Sequence, residues 1–392
     1  DEQRLYPKVR FRGFDEPWKK VKLGQIADVR DGTHESPKYV SQNGYPLITS
    51  KNLENGTINF DDISYISKKD YEEINKRSLV EKNDILFGMI GTIGNVAIVK
   101  KSGFAIKNVA LIKSNSEIPS INLIQIIQSD IFKKYTNRLN SGNSQKFISL
   151  GDIRKFDFKM ASKSENMLIS KLFKKVDTLL SLQQRKLELE KQLKKFCLQN
   201  ILSDNKKCPN LRFHDFSTNW KKVKVGDIFT VTRGKVLSKD KISKTKDHIM
   251  KYPVYSSQTL NNGLLGYYHD YLFEDAITWT TDGANAGTVR LRAGKFYGTN
   301  VNGVLLSKNG YVNDANAEAL NQIAWKYVSK VGNPKLMNNV MQNIMFSIAP
   351  SVEEQVIISK LFILHSKSLK IYQANINVYT QLKQFLLQNL FI

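Results

Sequence analysis

Apolar residues in two stretches of the chain recur at the three-then-four spacing of a helix with one dry face. The first stretch holds Leu172, Leu179, Leu182, Leu189, Leu193 and Phe196, with Lys175 and Lys186 at the two missed places. The second holds Leu361, Leu364, Ile371, Val378, Leu382 and Phe385, interrupted by Ser368 and Asn375. Neither stretch, about 165 to 202 or about 352 to 391, contains Pro or Gly. Each should therefore be a single helix on the order of 50 Å long. Two such helices in one chain are expected to pack on each other through these apolar residues, with the polar positions fixing register at some cost in stability.

Elsewhere the pattern changes to short apolar runs bounded by Gly, Asn and Lys, which predict strands. Pro46–Ser50, Asp84–Phe87, Val96–Val99 and Ala110–Ile112 are such runs, as are Pro253–Tyr255, Ala276–Trp279 and Val304–Leu306. Helical stretches are expected between them, at Ile121 to Thr136 and Ala315 to Val331. Turn formers and a proline in Ser203–Pro209 read as a linker that ends the first long helix.

The chain also repeats itself. Residues 7–26 match 209–228 at an offset of 202, with Phe11/Phe213, Trp18/Trp220 and Gly24/Gly226 coinciding. The long helices match at an offset of 189, for example Ile169–Phe173 with Ile358–Phe362. The middle of the second copy is thus 13 residues shorter than that of the first, and only scraps of the two middles agree. A common frame carrying two different inserts is the organisation this predicts.

Composition sharpens the picture. Lys and Arg number 59 against 36 acids in 392 residues, a formal charge of +23. Such an excess favours a polyanionic partner, nucleic acid first. Two cysteines exclude a disulfide scaffold or a four-cysteine zinc site. No apolar run is long enough to span a bilayer, and the N-terminus has no signal core, so a soluble cytoplasmic protein is expected. Catalytic motifs for nucleic-acid chemistry are missing. There is no Glu-x-Lys tripeptide, and Asp204-Asn-Lys206 lies in the linker without a Pro-Asp pair ahead of it. No Asn-Pro-Pro or Asp-Pro-Pro loop is present to hold a flipped base, and no Gly-x4-Gly-Lys-Ser/Thr loop to cradle a phosphate. The five histidines are scattered, and Cys197 takes the helix position that Leu386 takes in the second copy, which makes it a small apolar interface residue.

Loops rich in Gly, Asn, Ser and basic residues punctuate both middles, and Lys, Asn and Gln are side chains that reach phosphates and base edges. Lys51, Asn52, Asn143 and Gln145 in the first middle, and Lys235, Gln258, Asn339 and Gln342 in the second, are the candidate DNA contacts.

Two divergent middles, each opened by a Trp-Lys-x-Val-x-Leu/Val-Gly-x-Ile segment (Trp18 to Ile26, Trp220 to Ile228) and each followed by a long helix, resemble the specificity subunit of type I restriction-modification systems. Pro350-Ser-Val-Glu-Glu-Gln355 is similar to that family's Pro-Pro-Leu-x-Glu-Gln junction, while the first copy departs from it with Ala161-Ser-Lys-Ser-Glu-Asn166. The resemblance implies an α+β fold of pseudo-twofold internal repeat. Two target recognition domains, 1–160 and 217–350, would be separated by two antiparallel coiled-coil-like helices, 161–203 and 351–392, with a linker at 204–216. It implies a chain without catalysis or cofactor of its own, each recognition domain reading one half of a bipartite, asymmetric duplex DNA target. Two methyltransferase subunits using S-adenosylmethionine would dock on the helices, and motor-nuclease subunits using ATP and Mg2+ would join them. The rival expectation is a non-catalytic scaffold that binds other proteins through the helices.

Overall fold

The computed structural model describes residues 5–54, 56–91, 93–139, 147–202, 208–257 and 260–392. Two compact units share the chain, Asp1–Gln183 with Ala374–Ile392, and Gln184–Gln373. Helices Lys163–Ile201 and Val352–Asn389 are each continuous, and each gives one half to either unit.

In the first unit, strand Lys19–Lys22 pairs antiparallel with Asp157–Met160, just before the first long helix. An antiparallel sheet runs in the order Val29–Asp31, Val109–Ile112, Ile85–Gly88, Val96–Ile98. A smaller sheet places Tyr45–Ile48 between Ser64–Ile66 and Ala105–Ile106, the latter pair parallel. The helix expected from Ile121 to Thr136 is two helices, Ser120–Gln128 and Asp130–Leu139. Between them Ser129 takes an extended conformation and its hydroxyl donates to the Ile126 carbonyl at 2.7 Å, the side-chain competition that makes serine a helix terminator.

The second unit repeats the frame. Lys221–Lys224 pairs with Met345–Ile348 ahead of the second long helix. Its sheet is larger, six strands in the order Thr230–Arg233, Asn302–Leu306, Phe273–Thr280, Val289–Gly298, Tyr252–Tyr255, Leu264–Tyr268, with one parallel join between Val289–Gly298 and Tyr252–Tyr255. Helix Asp314–Ile323 runs on into a 3₁₀ turn at Ala324–Tyr327, short of the expected Val331.

Each frame is locked by the same buried clamp. Arg10 Nε and Nη2 donate to the two oxygens of Glu165 at 2.9 Å each, and the Trp18 indole donates to Glu165 at 3.1 Å. In the second unit Arg212 donates to Glu354 at 2.7 and 2.8 Å, and the Trp220 indole at 3.2 Å. The carboxylates are 1% and 0% exposed, so a planar guanidinium fork and an indole N–H supply the hydrogen bonds that their burial demands. Those bonds hold both guanidinium pKa values above the ordinary value. One residue on, Asn166 and Gln355 donate to the carbonyls of Ala161 and Ala349. The first copy's departure from the Glu-Gln junction is thus conservative in structure: Glu165 and Asn166 do what Glu354 and Gln355 do.

The long helices pack antiparallel within each unit, but one residue away from the expected seam. The inward positions of the first helix are Ile169, Phe173, Val176, Leu180, Gln183, Leu187, Glu190, Lys194, Cys197 and Ile201, and those of the second are the same positions 189 residues on. In the first unit Asp177 meets Lys383 at 2.8 Å, and Phe173 stacks on Phe391 at 5.7 Å between centroids. In the second, His365 Nδ1 lies 2.6 Å from Glu190. Cys197 and Leu386 are each 6% exposed at equivalent places, as expected of a small apolar interface residue. Nine of the twelve apolar residues expected to form the seam instead face outward: Leu182, Leu189, Leu193, Phe196, Leu364, Ile371, Val378, Leu382 and Phe385 are all exposed, between 41% and 60%, while Leu172 and Leu361 pack against the cores.

Candidate nucleic-acid interface

The candidate contact residues scatter over three environments. Lys51 stands on a 3₁₀ turn, Ser50–Asn52, with its ammonium exposed and 3.0 Å from the still more exposed Asp62. An exposed pair of this kind is weak and free to exchange for a phosphate. Asn52 is not a surface reader. It is 4% exposed, accepts from the Thr49 N–H at 2.9 Å and donates to the Asp62 carbonyl at 3.0 Å, so its amide is spent holding its own loop. Asn143, Gln145 and Gln258 lie outside the described residues.

In the second unit Lys235 is exposed directly after Gly234, whose missing side chain lets the chain pass the Gly298 carbonyl: a methyl group there would lie 2.0 Å from that oxygen. Asn339 and Gln342 are both exposed on the short helix Asn338–Gln342. Gln342, however, belongs to the frame. Its side chain crosses Gly226, where an added methyl would meet Cγ at 2.6 Å, and Arg154 crosses Gly24 in the same way at 2.9 Å. A second Asp-x-Lys tripeptide, Asp157-Phe158-Lys159, also lies in the frame, where Asp157 pairs with Lys20 at 2.8 Å. That pairing, through its hydrogen bond first, holds the Asp157 carboxyl below the usual carboxylate range.

The first unit also has a polar cleft of about 460 Å³ beside Thr33, His34, Lys38, Asp70 and Arg77. His34 is fixed from both ring nitrogens, 2.9 Å from Asn108 Oδ1 and 2.9 Å from Asp31 Oδ2. Arg77 joins Asp31 at 3.0 Å and donates to the Gly32 carbonyl at 2.9 Å. The Ser67 hydroxyl and then the Lys38 N–H, each at 2.8 Å, hold the Asp70 carboxyl below its ordinary pKa. This arrangement of fixed donors and acceptors suits a base edge better than a bare phosphate. Arg77 carries no signal in the sequence for this cleft, because it lies 41 residues beyond Ser36, on helix Lys68–Ser78.

Among the described residues no group of three or more His, Cys, Asp or Glu side chains is placed to hold a metal, and no helix is long and apolar enough to cross a membrane. The exposed apolar residues of the long helices are the other feature a partner would use. Leu182, Val378, Leu382 and Phe385 in the first unit correspond, through the offset of 189, to Ile371, Leu189, Leu193 and Phe196 in the second. Each unit therefore displays the same four positions, each with a large apolar side chain, which is what a repeated docking surface requires.

The family model described as the type I restriction modification DNA specificity domain matches residues 15–191 and again 217–378. A Mycoplasma pneumoniae protein described as a type I specificity subunit N-terminus is 42% identical over 127 residues, covering 32% of this chain and 66% of its own length. The specificity subunit of the type I restriction enzyme MpnII, from the same organism, is 37% identical over 141 residues, or 35% of this chain and 42% of the relative. The chain thus spans just under two thirds of the first relative and less than half of the second. The crystal structure of the type I restriction-modification S subunit from M. genitalium shares the fold with a TM-score of 0.68 at 16% identity, covering 98% of this chain and 99% of that one.

Proposed function

Because both of its copies match one family model, the chain belongs to the type I restriction-modification DNA specificity family, and on that premise we propose that it is the DNA-reading subunit of such a system. Each unit reads one half of a bipartite duplex target. The observation that carries this reading is the combination of one frame with two different middles. The Arg–Glu–Trp clamps agree to within 0.2 Å in each hydrogen bond, while the sheets they hold differ in size and lining. Like heads would read like half-sites, whereas unlike heads read an asymmetric target.

Partners follow from the helices. The two matching sets of exposed apolar residues support docking of two copies of one protein, in this reading the methyltransferase subunits that use S-adenosylmethionine to methylate adenine. Motor-nuclease subunits using ATP and Mg2+ complete the complex. The charge of +23 supplies the sequence-independent part of DNA affinity through counterion release. Methylated adenines mapped in a genome, with this chain co-expressed with a methyltransferase subunit, test the proposal. Methylation at one recurrent two-part sequence is expected; methylation that ignores this chain's presence would reject it.

A further inference from the structure

The two sheets correspond strand by strand. Val29, Ile112, Ile85 and Ile98 pair across the first, and Val231, Leu305, Ile277 and Leu291 pair across the second. This row is apolar in both units and packs towards their helices. Residues one step along each strand point to the opposite face. In the first unit the centre of that face is apolar, with Arg30, Asp84 and Lys113 at its margins: Leu86, Ala97, Val99, Val109 and Leu111 are all 0% exposed within one apolar cluster. Their counterparts in the second unit are Thr278, Arg290, Arg292, Asn302 and Val304. At four of these five central places an apolar residue has become a polar or cationic one on the same backbone.

The contrast extends to how the charges are satisfied. In the first unit the buried cation Lys113 has Asp84 at 2.6 Å and Glu81 at 2.7 Å. The corresponding places for Lys113 and Asp84 in the second unit are Leu306 and Ala276, both apolar. Arg290 and Arg292 form no ion pair among the described residues. Arg292, 8% exposed, stacks at 3.7 Å on the Tyr255 ring and donates to Thr278 Oγ1 at 3.2 Å. Arg290 is half-buried, with one Nη held by the Asn262 side chain at the left-handed turn Asn261–Asn262. Burial lowers both guanidinium pKa values, that of Arg292 to about 10, which leaves Arg292 charged at neutral pH.

We propose that Arg290 is a base-reading residue of the second unit, donating from its guanidinium fork to the O6 and N7 acceptors of a guanine. This rests on the DNA-reading function proposed above. A phosphate contact needs only a mobile exposed cation, and the chain has many. A recessed fork, already fixed by Asn262 and with no carboxylate at ion-pair distance among the described residues, is arranged for a paired acceptor that enters the recess, and a guanine edge in the major groove supplies one.

The test selects duplexes from a random pool with the full-length chain and compares Arg290→Lys and Arg290→Ala with the parent. Lysine keeps the charge and loses the fork. The expected result is that Arg290→Lys abolishes a guanine preference at one position of one half-sequence, with about a tenfold or greater loss for the parent's preferred duplex, while affinity for unselected DNA changes less than about twofold. An unchanged preference in Arg290→Lys would overturn the assignment, as would an equal loss across all sequences in both variants, the signature of a phosphate contact. If the parent itself enriches no sequence, the DNA-reading function fails, and that outcome is distinct from a parent that selects and a variant that selects identically.

Discussion

The two clamps are nearly identical, whereas the two halves of the helix pair they lead into are not. At the positions where the first unit has Val176 and Tyr379, the second has His365 and Glu190. The His365–Glu190 contact is 2.6 Å long and nearly buried, and the other ring nitrogen, Nε2, is buried without a hydrogen-bond partner among the described residues. The sheets differ in the same sense at the centre of one face, apolar in the first unit and polar or cationic in the second. What coincides is whatever both units need in common, the clamp and the outward apolar positions. What diverges lines each unit's own interior and reading face.

The sharpest way to break the likeness is to remove a clamp carboxylate. Glu165→Ala and Glu354→Ala each leave a guanidinium mostly buried and unpaired, and each should cost about 3–5 kcal/mol in the unit that carries it. Hydrogen exchange read separately over each unit checks this. Unequal losses would show that the two clamps, for all their matching distances, do different work.

Next in size is an effect on assembly without an effect on folding. Phe196 and Phe385 are 53% and 50% exposed, so Phe196→Asp or Phe385→Asp should change stability by less than about 0.5 kcal/mol. Each should remove one of two methyltransferase copies, and the double variant both. Mass measurement of the assembled complex decides it: two copies retained on either single variant would mean that the outward positions are not the docking sites.

Those outward positions also show how far the sequence could be read. The helices, their limits to within about two residues and their pairing were legible from the absence of Pro and Gly and from the repeat, while the antiparallel sense came from the family resemblance. The face that pairs was not, and the reason is physical. The inner seam carries Gln183, Glu190, Lys194, His365, Tyr372, Tyr379 and Lys383, so a count of apolar residues prefers the neighbouring stripe. On the docking proposed above that stripe is apolar for a partner to cover, and periodicity does not distinguish burial in the fold from burial in a complex. The candidate contacts suffered differently. Loop composition led to Asn52, which closes a turn, and to Gln342, which packs on Gly226. Arg290 and Arg292 lie on a strand, and the signal for them was the alternation Val289-Arg-Leu-Arg292, a period of two that marks one apolar and one cationic face.

A smaller effect sharpens the contrast between the two halves of the helix pair. Copying the first half into the second, with His365→Val and Glu190→Tyr together, replaces a buried polar contact and an unpartnered nitrogen by apolar packing. A gain of about 1 kcal/mol is expected, seen as a rise of about 2–4 °C in the melting of the second unit. A loss would mean that the polar pair stabilises this half.

The smallest expected effect separates the units by pH. Helix Asp314–Ile323 begins with an acid, whereas Ser120–Gln128 has none in its first turn. Burial, and then the nearby Glu318, raise the Asp314 pKa above the ordinary carboxylate value, with Lys194 opposing them. Burial here outweighs the favourable field of the helix N-terminus. The folded state therefore binds this proton more tightly than the unfolded chain does. Its contribution to stability is complete below the unfolded carboxylate pKa and is lost as pH rises through the folded one. Above the folded pKa the ionised Asp314 is a standing cost, which Asp314→Asn should relieve by no more than about 2 °C in the melting of the second unit, with the first unit unchanged. Near pH 3 the advantage should vanish, because the native carboxyl is then neutral too. An advantage that persists unchanged to pH 3 would show that the amide gains a contact of its own and that charge has no part in it.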